Sequence, residues 1–463
     1  MPAIAANTLT GNAYTDGILG SYKWATNSLT YSFPTDASYY GSAYGAAENT
    51  TNFGVLSAIQ QATARTVLKA FSSVANLSFT QIDETATQHA DLRFALSDRP
   101  GTAWAYSPAT AAVGGDAWFG NSSGYFTNPG NGNYAYLVFL HEIGHTLGLD
   151  HAHQGNIVPQ DRDSMEFTVM SYRSYPGAST TAGYTNETWG HAQSLMTYDI
   201  AAAQHMYGAN FSTNSGNTTY SWSPTTGEML INGLGQGAPG ANRILLTVWD
   251  GGGNDTYDLS KYTTGLKVDL RPGTWTTTAT TQLAKLHWDG SKVAVGNIAN
   301  ALLYNGDTRS LIENAAGGSG NDTLTGNDAA NLLKGGDGAD RLSGLGGSDI
   351  LDGGAGADML LGGAGADVFD FNSTQDSPSN ARDTLQDFVS GTEHIDLRTI
   401  DANTALAGDQ GFSFIGGSPF TGQIGQLNFS NGVLSGDVNG DKVADFRINV
   451  PSVSTLAPTD FYL

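Results

Sequence analysis

The chain of 463 residues contains no cysteine, and its 20 Lys and Arg stand against 43 Asp and Glu, a formal net charge of −23. Without cysteine there are no disulfide staples, so any loop-rich part must be held another way, for example by metals. The shortage of positive charge argues against nucleic acid or an anionic membrane as partner. It suits a protein that neutralises its own carboxylates with bound cations. No apolar run reaches the ~18 residues that would suggest a transmembrane helix. The opening MPAIAANTLTGN lacks a basic segment followed by an apolar one, so it does not read as a Sec signal. A cytosolic protein, or one exported by a route that ignores the N-terminus, is expected.

What is present points to a globular protein of about two to four domains. The apolar fraction is ordinary, whereas the 60 glycines are about twice the usual share and crowd into the second half. Residues 1–20 are small and polar and read as a mobile leader or the remnant of a pro-segment. Residues 21–212 have the composition of an α/β domain. Val55, Leu56, Ile59, Ala62, Val67, Ala70 and Phe71 recur at helical spacing, which predicts a helix over about 54–73. LSFTQI, ADLRFAL, TAWAYSP and GDAWFG read as short strands. NYAYLVFLHEIGHTLGL predicts a largely buried helix with Asn131 or Asn133 as N-cap, and MTYDIAAAQHMYGAN a closing helix ending at Gly208.

Three of the nine histidines fall within FLHEIGHTLGLDH. On a helix, His141 and His145 lie one turn apart on one face and can share one zinc. Gly148 can end the helix in a left-handed conformation and let the chain swing back, so that His151 becomes a third ligand. Three protein ligands leave an open position for water, the mark of a catalytic zinc. Glu142 lies beside that face as the candidate general base.

His141–Glu142–His145–Gly148–His151, followed by FTVMSY, resembles the metzincin metalloproteases and, among them, the serralysins. YGAN at 207–210 and LTYSFP at 29–34 add to the likeness, which covers nearly the whole chain. The resemblance implies a Met-turn at Met170 and a role for Tyr172 as zinc ligand or oxyanion stabiliser. It also implies an edge strand, carrying Trp104 and Tyr106, that binds an extended peptide and so tolerates many sequences. The chain departs from the family at Ala152, where proline is usual. His153 has no family counterpart and is expected to be solvated.

From Gly317 to Asp370 the chain divides into six units of nine residues, GGSGNDTLT, GNDAANLLK, GGDGADRLS, GLGGSDILD, GGAGADMLL and GGAGADVFD. These match the calcium-binding pattern of RTX proteins. Glycines permit tight turns, while carbonyls and the sixth-position side chain offer the hard oxygens calcium prefers. The candidate ligands are Gly317, Gly318, Gly320 and Asp322; Asn331 in a degenerate second unit; Gly335, Gly336, Gly338 and Asp340; Gly344, Gly346 and Asp349; Gly353, Gly354, Gly356 and Asp358; and Gly362, Gly363, Gly365 and Asp367. Leu324, Leu333, Leu342, Leu351, Leu360 and Phe369, at the eighth position, should point inward and stack. By resemblance, Asn214, Gly216, Thr218, Asp250, Gly252 and Asp255 form a further calcium site at the domain junction. Asp437, Asn439 and Asp441 have calcium-loop spacing without the terminal glutamate of an EF-hand, leaving a calcium loop and a plain turn both open.

The expected architecture is therefore two domains: an α/β (α+β) metzincin-type zinc protease domain over 21–212, then an all-β parallel β-roll domain over 213–463 with a β-sandwich-like C-terminal part. The expected function is a secreted, extracellular zinc endopeptidase with one catalytic zinc, several calcium ions and protein or peptide substrates. The competing reading is a calcium-dependent adhesin or surface-layer module carrying an inactive protease domain. The resemblance further implies type I secretion machinery reading the C-terminal Asp460, Phe461, Tyr462 and Leu463. It also implies a small proteinaceous inhibitor as partner, and a monomer without nucleic-acid or membrane partners.

Overall fold

The computed structural model describes residues 1–42 and 44–463. In the first half a five-stranded sheet runs in the order Ser78–Gln81, Ser28–Ser32, Leu92–Ser97, Asp116–Gly120, Ala103–Ala105. All neighbours are parallel except the last pair, where the edge strand Ala103–Ala105 runs antiparallel to Asp116–Gly120. The first long helix spans Ala58–Val74, four residues later than its periodicity predicts. Gly54 is bridged to Leu96 of the sheet instead, and Ser57 starts the helix through a capping box with Gln60. The motif helix, Tyr134–Leu147, is buried on nearly every side, as a helix apolar all round must be. A closing helix spans Thr197–Tyr207.

Residues 1–20, expected as a mobile leader or pro-segment remnant, are packed against the rest of the first half. Ile4–Ala6 pairs antiparallel with Tyr22–Trp24, Ile18 and Leu19 are buried, and the Gly20 amide donates to the Gly148 carbonyl at 2.9 Å. The polarity that suggests mobility is satisfied internally: Asp16 accepts from the Thr10 and Gly11 amides.

The regular structure of the second half is strands and short 3-10 turns, the strands forming a ten-stranded, a nine-stranded and a three-stranded sheet. The nine-residue units alternate between the two sheets, so each unit pairs in parallel with the one eighteen residues on: Leu333 opposite Leu351, Leu324 opposite Leu342, Leu342 opposite Leu360. The eighth-position side chains, Leu324 to Phe369, are 0–1 % exposed and form the core between the sheets. Leu345 stands where other units carry their second glycine and keeps the left-handed backbone, at φ 77°. Beyond Asp370 both sheets continue, one through His394–Asp396 and Phe461–Tyr462, the other through an antiparallel meander of Phe446–Asn449, Val433–Asp437 and Gln426–Ser430. Leu245, Trp249, Leu286 and Ala294 of the second half pack into the core of the first, so one apolar core crosses the junction. Among the described residues no helix is long and apolar enough to cross a membrane.

Candidate metal centre and substrate cleft

Asn133 begins the motif helix by accepting from the Tyr136 amide at 2.9 Å. Gly148 ends it at φ 106°, the left-handed turn that brings the chain back. His141, His145 and His151 then present ring nitrogens that all lie within 4.8 Å of one another and could hold one metal ion. The Nε2 of His145 is 3.1 Å from that of His141 and 2.9 Å from that of His151. Each Nδ1 has an oxygen partner: the Val169 carbonyl for His141, the Leu149 carbonyl for His145 and the Gln154 amide oxygen for His151. With Nδ1–H donating outward, three Nε2 lone pairs converge on one point, which suits a shared cation and repels without one. Burial, and then the neighbouring histidines, hold His141 well below the usual imidazole range and His145 at about 4. Both rings are thus kept in the neutral form that ligates metal.

Glu142, on the same helix, is 6 % exposed and its Oε2 has no hydrogen-bond partner. Burial pushes its carboxyl up to about 8. The Tyr172 hydroxyl lies 2.9 Å from the Nε2 of His151, and burial raises its pKa to about 12, so it stays protonated at neutral pH. His153, expected to be solvated, instead stacks on His151 at 5.4 Å and has a buried Nδ1 without a partner.

Met170 is fully buried and packs on Gly144 of the motif helix. A Cβ on Gly144 would lie 2.9 Å from its sulfur, which explains glycine at that point of the helix. The turn is fastened by Asp199, whose carboxylate accepts from the Thr168 hydroxyl and the Val169 and Met196 amides at 2.6–2.8 Å. Because Val169 also orients His141, Asp199 acts on the cluster through the turn. Sequence reading misses it, as nothing local marks this aspartate.

Two cavities flank the cluster. One, of about 660 Å³, is walled by Tyr134, Leu137, Tyr184 and His191; the other, of about 190 Å³, by Ala103–Ala105 and Gln154; Glu142 and Tyr172 border both. His191 is another residue without a local signal: it is buried, and its Nδ1 is unpartnered. Trp104 and Tyr106 do lie at the edge strand, but their polar ends donate to the fully buried Glu48.

In the second half the sixth-position side chains form two columns. The Asp322 amide donates to Asp340, Asp340 to Asp358, and Asp358 to Asp383, at 2.7–2.8 Å. In the other column Asn331 donates to Asp349 and Asp349 to Asp367. Asp383 continues the first column after an insertion and so escapes the nine-residue period. In Asp340, Asp349, Asp358, Asp367 and Asp383 the other carboxylate oxygen is buried without a partner. A Cβ on the first glycine of a unit would press on that oxygen: Gly335 at 2.4 Å from Asp340, Gly344 at 2.0 Å from Asp349, Gly353 at 2.5 Å from Asp358, Gly362 at 2.4 Å from Asp367. Burial raises these carboxyls, to about 6 for Asp340, about 7 for Asp349 and Asp358, and about 9 for Asp383. Buried, unpaired carboxylate oxygens fit a hard cation such as calcium. Asn331 differs: its amide is satisfied by Asn327 on both sides.

At the junction the Thr218 amide and the Tyr220 hydroxyl donate to Asp255 and Asp250, both at 2.7 Å, and Thr218 also bonds the Asn214 and Gly216 carbonyls. Asp255 retains an unpartnered oxygen and is raised to about 8, by burial and then by Asp250. Glu313, absent from the sequence reading, accepts from the Asp255 amide. The Asp437 loop is different. Its carboxylate accepts from the Asn439, Gly440 and Lys442 amides, the pattern of a plain turn.

Known proteins agree with this geometry. The family model described as "Peptidase M10 serralysin C terminal" matches residues 209–463, and that described as "Matrixin" matches residues 23–161. The metallopeptidase AprA of Pseudomonas marginalis is 36 % identical over 440 residues, covering 91 % of this chain and 83 % of its own. The metalloprotease AprA of Pseudomonas entomophila is 35 % identical, over 95 % and 85 %. The serralysin of Proteus mirabilis is 38 % identical, over 87 % and 79 %. With a histidine cluster able to hold a metal and matches at both ends of the chain, this protein belongs to the serralysin family of metzincin zinc metalloendopeptidases.

Proposed function

We propose that the protein is a secreted endopeptidase in which His141, His145 and His151 hold the catalytic zinc and Glu142 is the general base. The observation that carries this reading is the buried, unpartnered Glu142 oxygen beside three converging imidazoles. Zinc bound there would supply Lewis acidity, lowering the pKa of a water and polarising the scissile carbonyl. Glu142 takes a proton from the attacking water and returns it to the leaving amine. Tyr172, kept as a neutral hydroxyl, donates to the oxyanion once it leaves His151.

The free edge of Ala103–Ala105 pairs with an extended substrate backbone. Trp104 and Tyr106 serve it indirectly, by anchoring the strand to Glu48. The 660 Å³ cavity receives a substrate side chain beside the scissile bond. The division into 21–212 and 213–463 is supported by the C-terminal family match over 209–463, and the reading of the repeats as a calcium-loaded β-roll by the two columns of orphaned carboxylates. In low cytosolic calcium the columns repel and the chain stays exportable through its C-terminus; outside the cell, calcium folds it. The test is casein hydrolysis in excess calcium. It should be blocked by o-phenanthroline and restored by zinc; hydrolysis persisting in the chelator would refute the reading.

A further inference from the structure

The outer wall of the 660 Å³ cavity is formed by Thr180, Thr181, Gly183, Tyr184, Asn186 and His191. These residues lie in a stretch, 171–196, that contains no helix or strand. An irregular wall of this length cannot hold its own shape, since its backbone groups find no partners in regular structure. Part of its support comes from the rest of the first half, where the His191 amide donates to the Gly132 carbonyl at 3.1 Å.

Much of the rest comes from the second half. The Arg243 guanidinium grips Glu187 with Nε at 2.5 Å from Oε1 and Nη2 at 3.3 Å from Oε2. The Lys285 amide donates to the same carboxylate at 3.1 Å, and the Glu187 amide donates back to the Lys285 carbonyl at 3.1 Å. On one side of Glu187 the Thr185 hydroxyl donates to the Leu286 carbonyl at 2.8 Å, and the Trp288 amide to the Thr185 carbonyl at 2.7 Å. On the other side Gln193 exchanges main-chain and side-chain bonds with Arg243 and Leu245. Gly190 sits so close that a Cβ would lie 2.5 Å from the Lys285 carbonyl oxygen. A two-pronged Arg–carboxylate pair fixes orientation as well as distance.

We propose that Glu187 is a positioning residue through which the carboxy-terminal half sets the shape of the substrate pocket, so that selection of the substrate side chain depends on that half being folded and docked. Tyr184, Asn186 and His191 touch the substrate; Glu187 acts through them. This rests on the reading that the cavity takes a side chain beside the scissile bond.

The test uses the zinc- and calcium-loaded full chain with Glu187→Ala, Arg243→Ala and the double substitution. Two readouts are taken: amide exchange over 183–193, and KM and kcat for peptides carrying a bulky aromatic or an alanine at each position flanking the scissile bond. Exchange should quicken, and KM for the bulky peptide should rise about tenfold while kcat changes less than about twofold. The double substitution should be no worse than the worse single one, because both remove the same contact. Glu187→Gln, which keeps an acceptor for the Lys285 amide, should fall between wild type and Glu187→Ala, and it serves if the alanine variants misfold. Unchanged exchange over 183–193 overturns the proposal, as does a fall in kcat with no change in KM. If the wild type fails to distinguish bulky from small peptides, the cavity reading falls, and the exchange measurement alone decides the role of Glu187.

Discussion

In the absence of calcium, stability should fall as pH rises from about 4 towards 7, the reverse of ordinary acid denaturation. Asp349 and Asp358 are 1 % and 2 % exposed, and burial raises both to about 7 from an ordinary 3.8. A raised folded pKa means that the native state holds protons the unfolded chain has released. The associated stability is complete below the unfolded pKa and is lost as pH climbs through about 7. At 1.36 kcal/mol per unit, a shift of roughly three units is on the order of 4 kcal/mol for one such carboxylate. Neighbours in a column titrate together, so the whole effect is smaller than the sum. Calcium held by these carboxylates, as proposed, would compete with the protons and bind better as pH rises, flattening or inverting the trend.

The assay is urea unfolding of the full chain at about pH 5 and about pH 7.5, in chelator and in millimolar calcium, where the pH slope reports the difference in bound protons. Asp358→Asn sharpens it. The amide should stabilise the protein in chelator at neutral pH, by removing a buried charge, and destabilise it in calcium, by removing a ligand. Calcium-free stability that rises with pH, or an Asp358→Asn effect of the same sign in both conditions, would refute the reasoning.

If the Tyr172 hydroxyl acts on the developing oxyanion, as proposed, Tyr172→Phe should lower kcat more than it raises KM, on the order of 10² in kcat; steady-state kinetics showing a pure KM effect would reassign it to binding. Asp199→Asn should cost about 1–3 kcal/mol in urea unfolding, since it disturbs three buried hydrogen bonds, and it should lower activity by loosening Val169 under His141. Gly354→Ala should destabilise the calcium-loaded protein by more than ~1 kcal/mol, because its backbone is left-handed at φ 81° and the new Cβ would meet the Gly336 carbonyl oxygen at 2.1 Å; thermal unfolding in calcium measures it.

The features legible in the sequence are those written at short range. His141, His145, Gly148 and His151 lie within eleven residues, and one helix turn plus the left-handed turn at Gly148 brings them together. The nine-residue period likewise places Leu324 to Phe369 in one core and Asp340 to Asp367 in columns. What escapes is set by contacts distant in sequence. Asp199 reaches back some thirty residues to the Met170 turn, Glu48 holds Trp104 and Tyr106 across more than fifty, and Asp383 joins its column only after an insertion breaks the period. The packing of residues 1–20 was hidden for the same reason: the partner of Gly20 is Gly148.

The central claim is that Glu142 is the base of a zinc peptidase and is not itself a ligand. The most direct measurement is zinc content and peptide hydrolysis of Glu142→Ala, made side by side with wild type in excess calcium. The account predicts one zinc in each protein and a rate lower by ~10²–10⁴ in the variant. Wild-type hydrolysis with zinc still bound would contradict it, and so would loss of zinc from the variant.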